Sequence, residues 1–164
     1  MSEATGTLVV ALGNPLRGDD GVGLAVLDAL DQSGRLPLDV TLAEGGKNVI
    51  NGLLIGGYQK IILIDAAEIA CEPGKWMRFS PGNALFLADP LVSGNNLHHI
   101  SLPEALEIGK ALGKELPEIV IYGVHPVTIA PSLALSEPVR NVLTEICQAI
   151  LEELCIEKCD LPKP

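Results

Sequence analysis

The sequence predicts an α/β fold. The expected form is a single three-layer domain, with a twisted, mostly parallel mixed β-sheet of about five strands and helices on both faces. Three observations predict it. Short aliphatic runs alternate along the chain with segments whose apolar residues recur at helical spacing. Most of these segments are closed by Gly, Pro or Asn. Only five of the 164 residues are aromatic although 48% are hydrophobic, so the core must be aliphatic, as in parallel strands buried on both sides.

The first run is Leu8-Val9-Val10-Ala11-Leu12, a buried strand stopped at Gly13-Asn14-Pro15. Val22, Leu24, Ala25, Leu27 and Leu30 then recur as one face of a helix that Gly34 closes. Asp39 to Ala43 reads as a second strand, broken by Glu44-Gly45-Gly46. Val49-Ile50 and Leu53-Leu54 mark a short helix ending at Gly56-Gly57. Lys60 to Asp65 is a strand of four branched apolar residues with a charge at each end. Lys75 to Phe79 is short and alternating, which suits an edge strand. Residues 81–96 show no period and read as a long loop, a type of segment that tends to be functional. Ser101-Leu102-Pro103-Glu104 is a capping box opening a helix to about Leu112. Glu118 to Val124 is a further strand. Ser136 is expected to cap a long last helix that runs through Leu154. One domain therefore spans 1–164, with its core over about 7–154 and a short tail at 155–164. Nothing in the pattern requires more than a monomer.

Composition removes several classes of function. The chain carries 11 basic and 21 acidic residues, a net charge of −10. That sign is wrong for a nucleic-acid surface or for docking on anionic lipid. The acids are spread over both halves, and most of them serve solubility. No stretch reaches the length of a membrane span, and Met1 to Thr7 lacks a basic-plus-apolar leader, so the expected location is the cytoplasm. Cys71, Cys147, Cys155 and Cys159 form no CxxC pair and read as free thiols of a reducing compartment.

In an open α/β sheet the ligand sits beyond the carboxyl ends of the strands, which selects residues 14–23, 44–46 and 65–67. Gly13-x4-Gly18 begins like a phosphate loop, but Asp19 and Asp20 stand where Lys and Ser or Thr are needed. Two carboxylates there repel phosphate and suit a cation. Asp20 at a helix start and Asp65 at a strand end can face one crevice, where they would share a metal, a proton or a cationic partner. One of Asp19 and Asp20 is also expected to cap the helix. His98 and His99 end the long loop, and one imidazole beside two carboxylates makes a borderline site for nickel, zinc or iron. His125 follows a strand directly and either joins the site or merely orients the turn. No G-x-S-x-G elbow is present, and the acidic setting of Cys71 beside Glu68 and Glu72 opposes a reactive thiolate.

Five motifs in order then match one family. They are Gly13-Asn14-x3-Gly18-Asp19-Asp20-Gly21-Val22-Gly23, Glu44-Gly45-Gly46, Ile64-Asp65-Ala66, His98-x3-Leu102-Pro103 and Gly123-Val124-x-Pro126. From Leu8 to about Leu154 the chain resembles the hydrogenase maturation endopeptidases. The resemblance implies a hydrolase that cuts the C-terminal extension from a nickel–iron hydrogenase large-subunit precursor after nickel insertion, with the nickel carried by the substrate as the recognition element. It implies that Asp20, Asp65 and His98 contact the metal and act in catalysis through it, with His99 the alternative to His98. The first position is often Glu in the family, so Asp20 is one methylene shorter. The family usually has Gln at the position of His125. Asn14, Asp19, Glu44, Gly45 and Gly46 are then expected to hold the substrate backbone. Two other readings share parts of the pattern: a non-catalytic metal-binding or nickel-chaperone module, and a peptidyl-tRNA-hydrolase-like enzyme, which the net charge opposes.

Overall fold

The computed structural model describes residues 4–81 and 102–159, with side chains described to 81 and from 106 to 155. The aliphatic runs become β1 (Thr7–Ala11), β2 (Val40–Glu44), β3 (Lys60–Ala66) and β5 (Glu118–Val124), and the alternating segment becomes β4 (Trp76–Phe79). Their order across the sheet is β2-β1-β3-β5-β4. All pairs are parallel except β4 with β5, which is antiparallel and lies at the edge. The mostly parallel mixed sheet of five strands is the one expected.

The helices are α1 (Val22–Gln32), α2 (Gly46–Leu54), α3 (Leu102–Ala111) and α4 (Glu137–Cys159). Side chains alternate across the sheet, so each strand feeds both faces. Val9, Ile62, Ile64, Val120 and Tyr122 pack with Val26, Leu30, Ile146 and Ile150 of α1 and α4. Leu8, Val10, Ile61, Leu63 and Ile121 pack with Val49 and Leu53 of α2, and Leu106 of α3 joins that side. All seven residues of β3 are buried, which makes it the centre of three layers. Each fully buried aliphatic side chain contributes about 1.5–3 kcal/mol of transfer free energy. Gly23 lets α1 lie directly on the sheet: a Cβ there would stand 2.5 Å from the Ile64 carbonyl and 2.8 Å from that of Leu12.

Two details differ from expectation. Helix α4 continues to Cys159, so Cys155 and Cys159 extend the helix instead of starting a tail. Helix α2 begins at Gly46, directly after β2, three residues before its first apolar position. The capping residues Ser101 and Glu104, and most of the 81–96 loop, lie outside the described residues and side chains. Cys71, Cys147 and Cys155 are free thiols, as expected.

Candidate active site

From β1 the chain crosses to β2 on one side, and β3 lies on the other. The carboxyl ends of β1 and β3 therefore flank the point where the winding reverses, the position at which open α/β sheets leave a crevice. Asp65 is the penultimate residue of β3 and is 4% exposed. The β1 strand is prolonged by one bond, Leu12 N–H to the Ile64 carbonyl at 2.9 Å, and then turns at Gly13. Gly13 has φ +101°, which disfavours any side chain. A Cβ on it would lie 2.1 Å from the Asp20 carbonyl oxygen and 3.1 Å from Asp65 Oδ1. This glycine is thus what allows the Asp20 turn to close over Asp65.

Asp20 sits in a 3-10 turn, Gly18–Gly21, just before α1. Its Oδ2 accepts the Asn14 N–H at 2.8 Å, and Asn14 Oδ1 accepts the Leu16 N–H at 2.9 Å. Asp65 Oδ1 accepts the Ala66 N–H at 2.8 Å. Each carboxylate thus gives one oxygen to a backbone amide of its own loop. Burial, and secondly the charge of Asp20, push the Asp65 carboxyl well above the usual range, while the Ala66 N–H acts the other way. A bare charge on Asp65 is therefore unfavourable in this crevice, and a cation bound beside it would offset that cost. The donor set fits a hard or borderline divalent ion. Among the described residues no group of three or more His, Cys, Asp or Glu forms a metal cluster. His98 and His99, the expected third ligand and its alternative, lie outside the described residues.

Asp19 corrects two expectations. Neither it nor Asp20 caps α1: the cap position is Gly21, with no side-chain hydrogen bond. Nor is Asp19 open to substrate. It is 0% exposed, and its oxygens accept the N–H groups of Val127 (2.8 Å), Thr128 (3.1 Å) and Ser136 (2.7 Å) and the Ser136 hydroxyl (2.8 Å). Burial alone would raise its carboxyl, but the bonds from Ser136, Thr128 and Val127 outweigh that and hold it below the ordinary value. Ser136 keeps its place ahead of α4, its carbonyl accepting the Arg140 N–H, while its hydroxyl turns to Asp19. Backbone bonds reinforce the tie: Gly18 N–H to Ser132 O, Asp19 N–H to Thr128 O and Ser132 N–H to Leu16 O. The backbone of Val127, Thr128, Ser132 and Ser136 therefore braces the loop that carries Asp20. The lack of charge between His125 and Glu137 was the signal for them in the sequence.

The remaining expected residues line the same end of the sheet. Glu44 closes β2 opposite Ala11, and the Gly45 N–H donates to the Ala11 carbonyl at 2.9 Å. Asn48 Nδ2 donates to the Glu44 carbonyl at 2.7 Å, fixing the turn into α2. Asn14, Glu44 and Gly45 are exposed and open to a bound chain. The half-buried His125 Nδ1 lies 3.1 Å from the Ile69 carbonyl, an acceptor, so this nitrogen carries the hydrogen. That contact is the turn-orienting role. Burial and then the Glu72 charge raise the Cys71 thiol, which keeps it unreactive.

Comparison with known proteins agrees on one family. The family model for HycI, hydrogenase maturation protease, matches residues 24–153. A relative from Methanothermobacter thermautotrophicus named coenzyme F420 hydrogenase subunit delta is 29% identical, over 92% of this chain and 96% of its own. The hydrogenase 2 maturation protease of Escherichia coli is 26% identical, over 90% and 89%. Among solved structures, the hydrogenase maturating endopeptidase HybD of E. coli shares the fold, with a TM-score of 0.71 at 21% identity, covering 93% of this chain and 94% of that one. A hydrogenase 2 maturation peptidase from a Thaumarchaeota archaeon has a TM-score of 0.64 at 28% identity, over 92% and 98%.

Proposed function

The chain belongs to the hydrogenase maturation protease family, and on that premise we propose that it removes the C-terminal extension of a nickel–iron hydrogenase large-subunit precursor once nickel has been inserted there. The observation that carries this reading is the pairing of Asp20 and Asp65 across Gly13 at the reversal point of the sheet. Nickel enters as part of the substrate. Asp20 and Asp65 supply two oxygen donors, and His98, or His99 in its place, supplies a nitrogen. Such a set suits a nickel ion whose other ligands are substrate thiolates. An ion so held polarises the carbonyl next to it or acidifies a water.

The chain's own residues do the rest. The Asn14 N–H fixes the Asp20 carboxylate through its Oδ2. The Ala66 N–H does the same for Asp65 through Oδ1. The exposed Glu44-Gly45 edge and Asn14 present backbone groups to an extended tail. The protein is read as acting in the cytoplasm, as a monomer, without nucleic acid or membrane partners. Among the described residues no helix is long and apolar enough to cross a membrane.

The test is direct. Nickel-loaded large-subunit precursor is incubated with the protein, a nickel-free precursor serves as control, and the product mass is followed. Loss of the tail from the nickel-loaded form alone is the expected result. Binding without loss of the tail would make the protein a nickel chaperone instead. Asp20→Asn, Asp65→Asn and His98→Ala should each abolish cleavage with the fold retained. If His99→Ala does so and His98→Ala does not, His99 is the ligand.

A further inference from the structure

We propose that residues 127–134, together with Leu16, form the surface on which the folded body of the precursor docks while its tail enters the site. This rests on the endopeptidase reading above and adds a second, separate contact to it.

Every residue from 127 to 134 is exposed, and none of them is charged, in a chain that is 20% charged and carries −10. Ile129 is 48% exposed, Leu16 60% and Leu133 84%. Exposed aliphatic side chains are unremarkable singly, but here three sit on two segments joined by hydrogen bonds. Arg17 and Ser132 form a parallel bridge, so Leu16 and Leu133 flank one junction. The stretch is also held in place. Three backbone bonds and the Val127 and Thr128 bonds to Asp19 fix it against the 14–20 turn, with two more from Ser136 just beyond it. Gly18 allows that approach: a Cβ there would stand 3.0 Å from the Thr128 carbonyl and 3.2 Å from that of Ala130.

Ordering this irregular segment satisfies Asp19 through the backbone, but leaves the aliphatic side chains in water, where they gain nothing inside the monomer. It does lower the entropic cost of binding a protein surface. Interface cores are depleted of charge in this way. The occupant follows from continuity with the site. Leu16 lies two residues from Asn14, whose N–H holds Asp20, and the strip begins where Asp19 is tied. A precursor whose nickel lies between Asp20 and Asp65 brings the surface around that ion across Leu16, Ile129 and Leu133. The complementary patch on the precursor is therefore apolar and beside its nickel.

The experiment uses the double variant Ile129→Ser, Leu133→Ser, whose side chains lie outside both cores. Affinity for the nickel-loaded precursor is measured by biolayer interferometry, and cleavage by mass. The expected result is binding weakened tenfold or more and KM raised to match, with kcat within twofold of wild type. Amide exchange on the unaltered protein should also show residues 127–134 protected when the precursor is added. Unchanged affinity and KM would overturn the proposal, as would absence of that protection. Wild-type protein that binds the precursor without cutting it sinks the endopeptidase reading alone, and the affinity comparison still decides the docking surface. Neither binding nor cutting sinks both. A wild-type dimer that the double variant dissolves, with cleavage unaltered, would make the strip a contact between two copies and overturn the proposal.

Discussion

Ionising Asp65 works against folding. Burial and the Asp20 charge raise its carboxyl in the folded chain above the 3.8 of the unfolded one, so the folded state binds the proton more tightly. The stability this supplies is complete below pH 3.8 and is lost as pH rises through the elevated value. Asp65→Asn never charges. At pH 7 without divalent cations it is expected to melt several degrees above wild type, and the gap should close toward pH 4, as scanning calorimetry would register. A stabilised but inactive variant is what a site kept for function at the expense of stability yields. Gly13→Ala is expected to do the opposite. Its Cβ meets the Asp20 carbonyl at 2.1 Å in a left-handed backbone, so urea unfolding should show a loss of roughly 2–4 kcal/mol together with loss of cleavage. Asp20 and Asp65 were legible in the sequence because strand ends in α/β sheets are where ligands bind. The role of Asp19 was not, since its partners lie 108 to 117 residues away and no local pattern announces a tie of that length.

Helix α4 is fixed to the sheet through Lys60 at the amino end of β3, Tyr122 of β5 and Arg78 of β4. Glu153 Oε1 accepts from Arg78 Nε and from the Tyr122 hydroxyl, both at 2.6 Å, and Lys60 Nζ lies 2.6 Å from Oε2. Burial alone would raise Glu153, but the bonds from Arg78, Lys60 and Tyr122 prevail and bring its pKa to about 2 from 4.5. The stability it contributes is therefore present above pH 4.5 and disappears as pH falls toward 2. Glu153→Gln leaves Lys60 buried without its closest carboxylate, an expected cost of about 3 kcal/mol at pH 7. The difference should shrink in acid, which urea titrations at pH 7 and pH 3 would reveal. Strands were the elements most plainly written in the sequence, because a run such as Ile61 to Ile64 has no polar position to expose. The far end of α4 was less so. Its apolar period ends at Leu154, and a helix can outlast the face that packs it.

At the scale of the whole chain, both cores share β1, β3 and β5, so neither half of the hydrophobic packing can be lost alone. Trp76 is the only tryptophan, stacked on Tyr122 with ring centroids 5.8 Å apart, and it reports on the edge of the sheet. Its fluorescence and the far-ultraviolet circular dichroism are expected to trace one coincident urea transition; two separated midpoints would show that the layers unfold independently. The net charge of −10 is the sequence's argument against a nucleic-acid or anionic-lipid surface. The segments that follow β1 and β5 meet through backbone bonds on the far side of β3's end, a contact that no local pattern in the sequence marks.

The tie between Asp19 and Ser136 also sets a chronology. The loop bearing Asp20 leaves a ribosome early, yet the amides that hold Asp19 belong to residues synthesised more than a hundred positions later. Until Val127, Thr128 and Ser136 have emerged, Asp19 has no amides to bond and the turn beside it has no brace. A nascent or truncated chain can pair β1 with β2 and still lack a formed crevice. The crevice is therefore complete only once residue 136 has emerged, so a copy broken off before that point has no finished site.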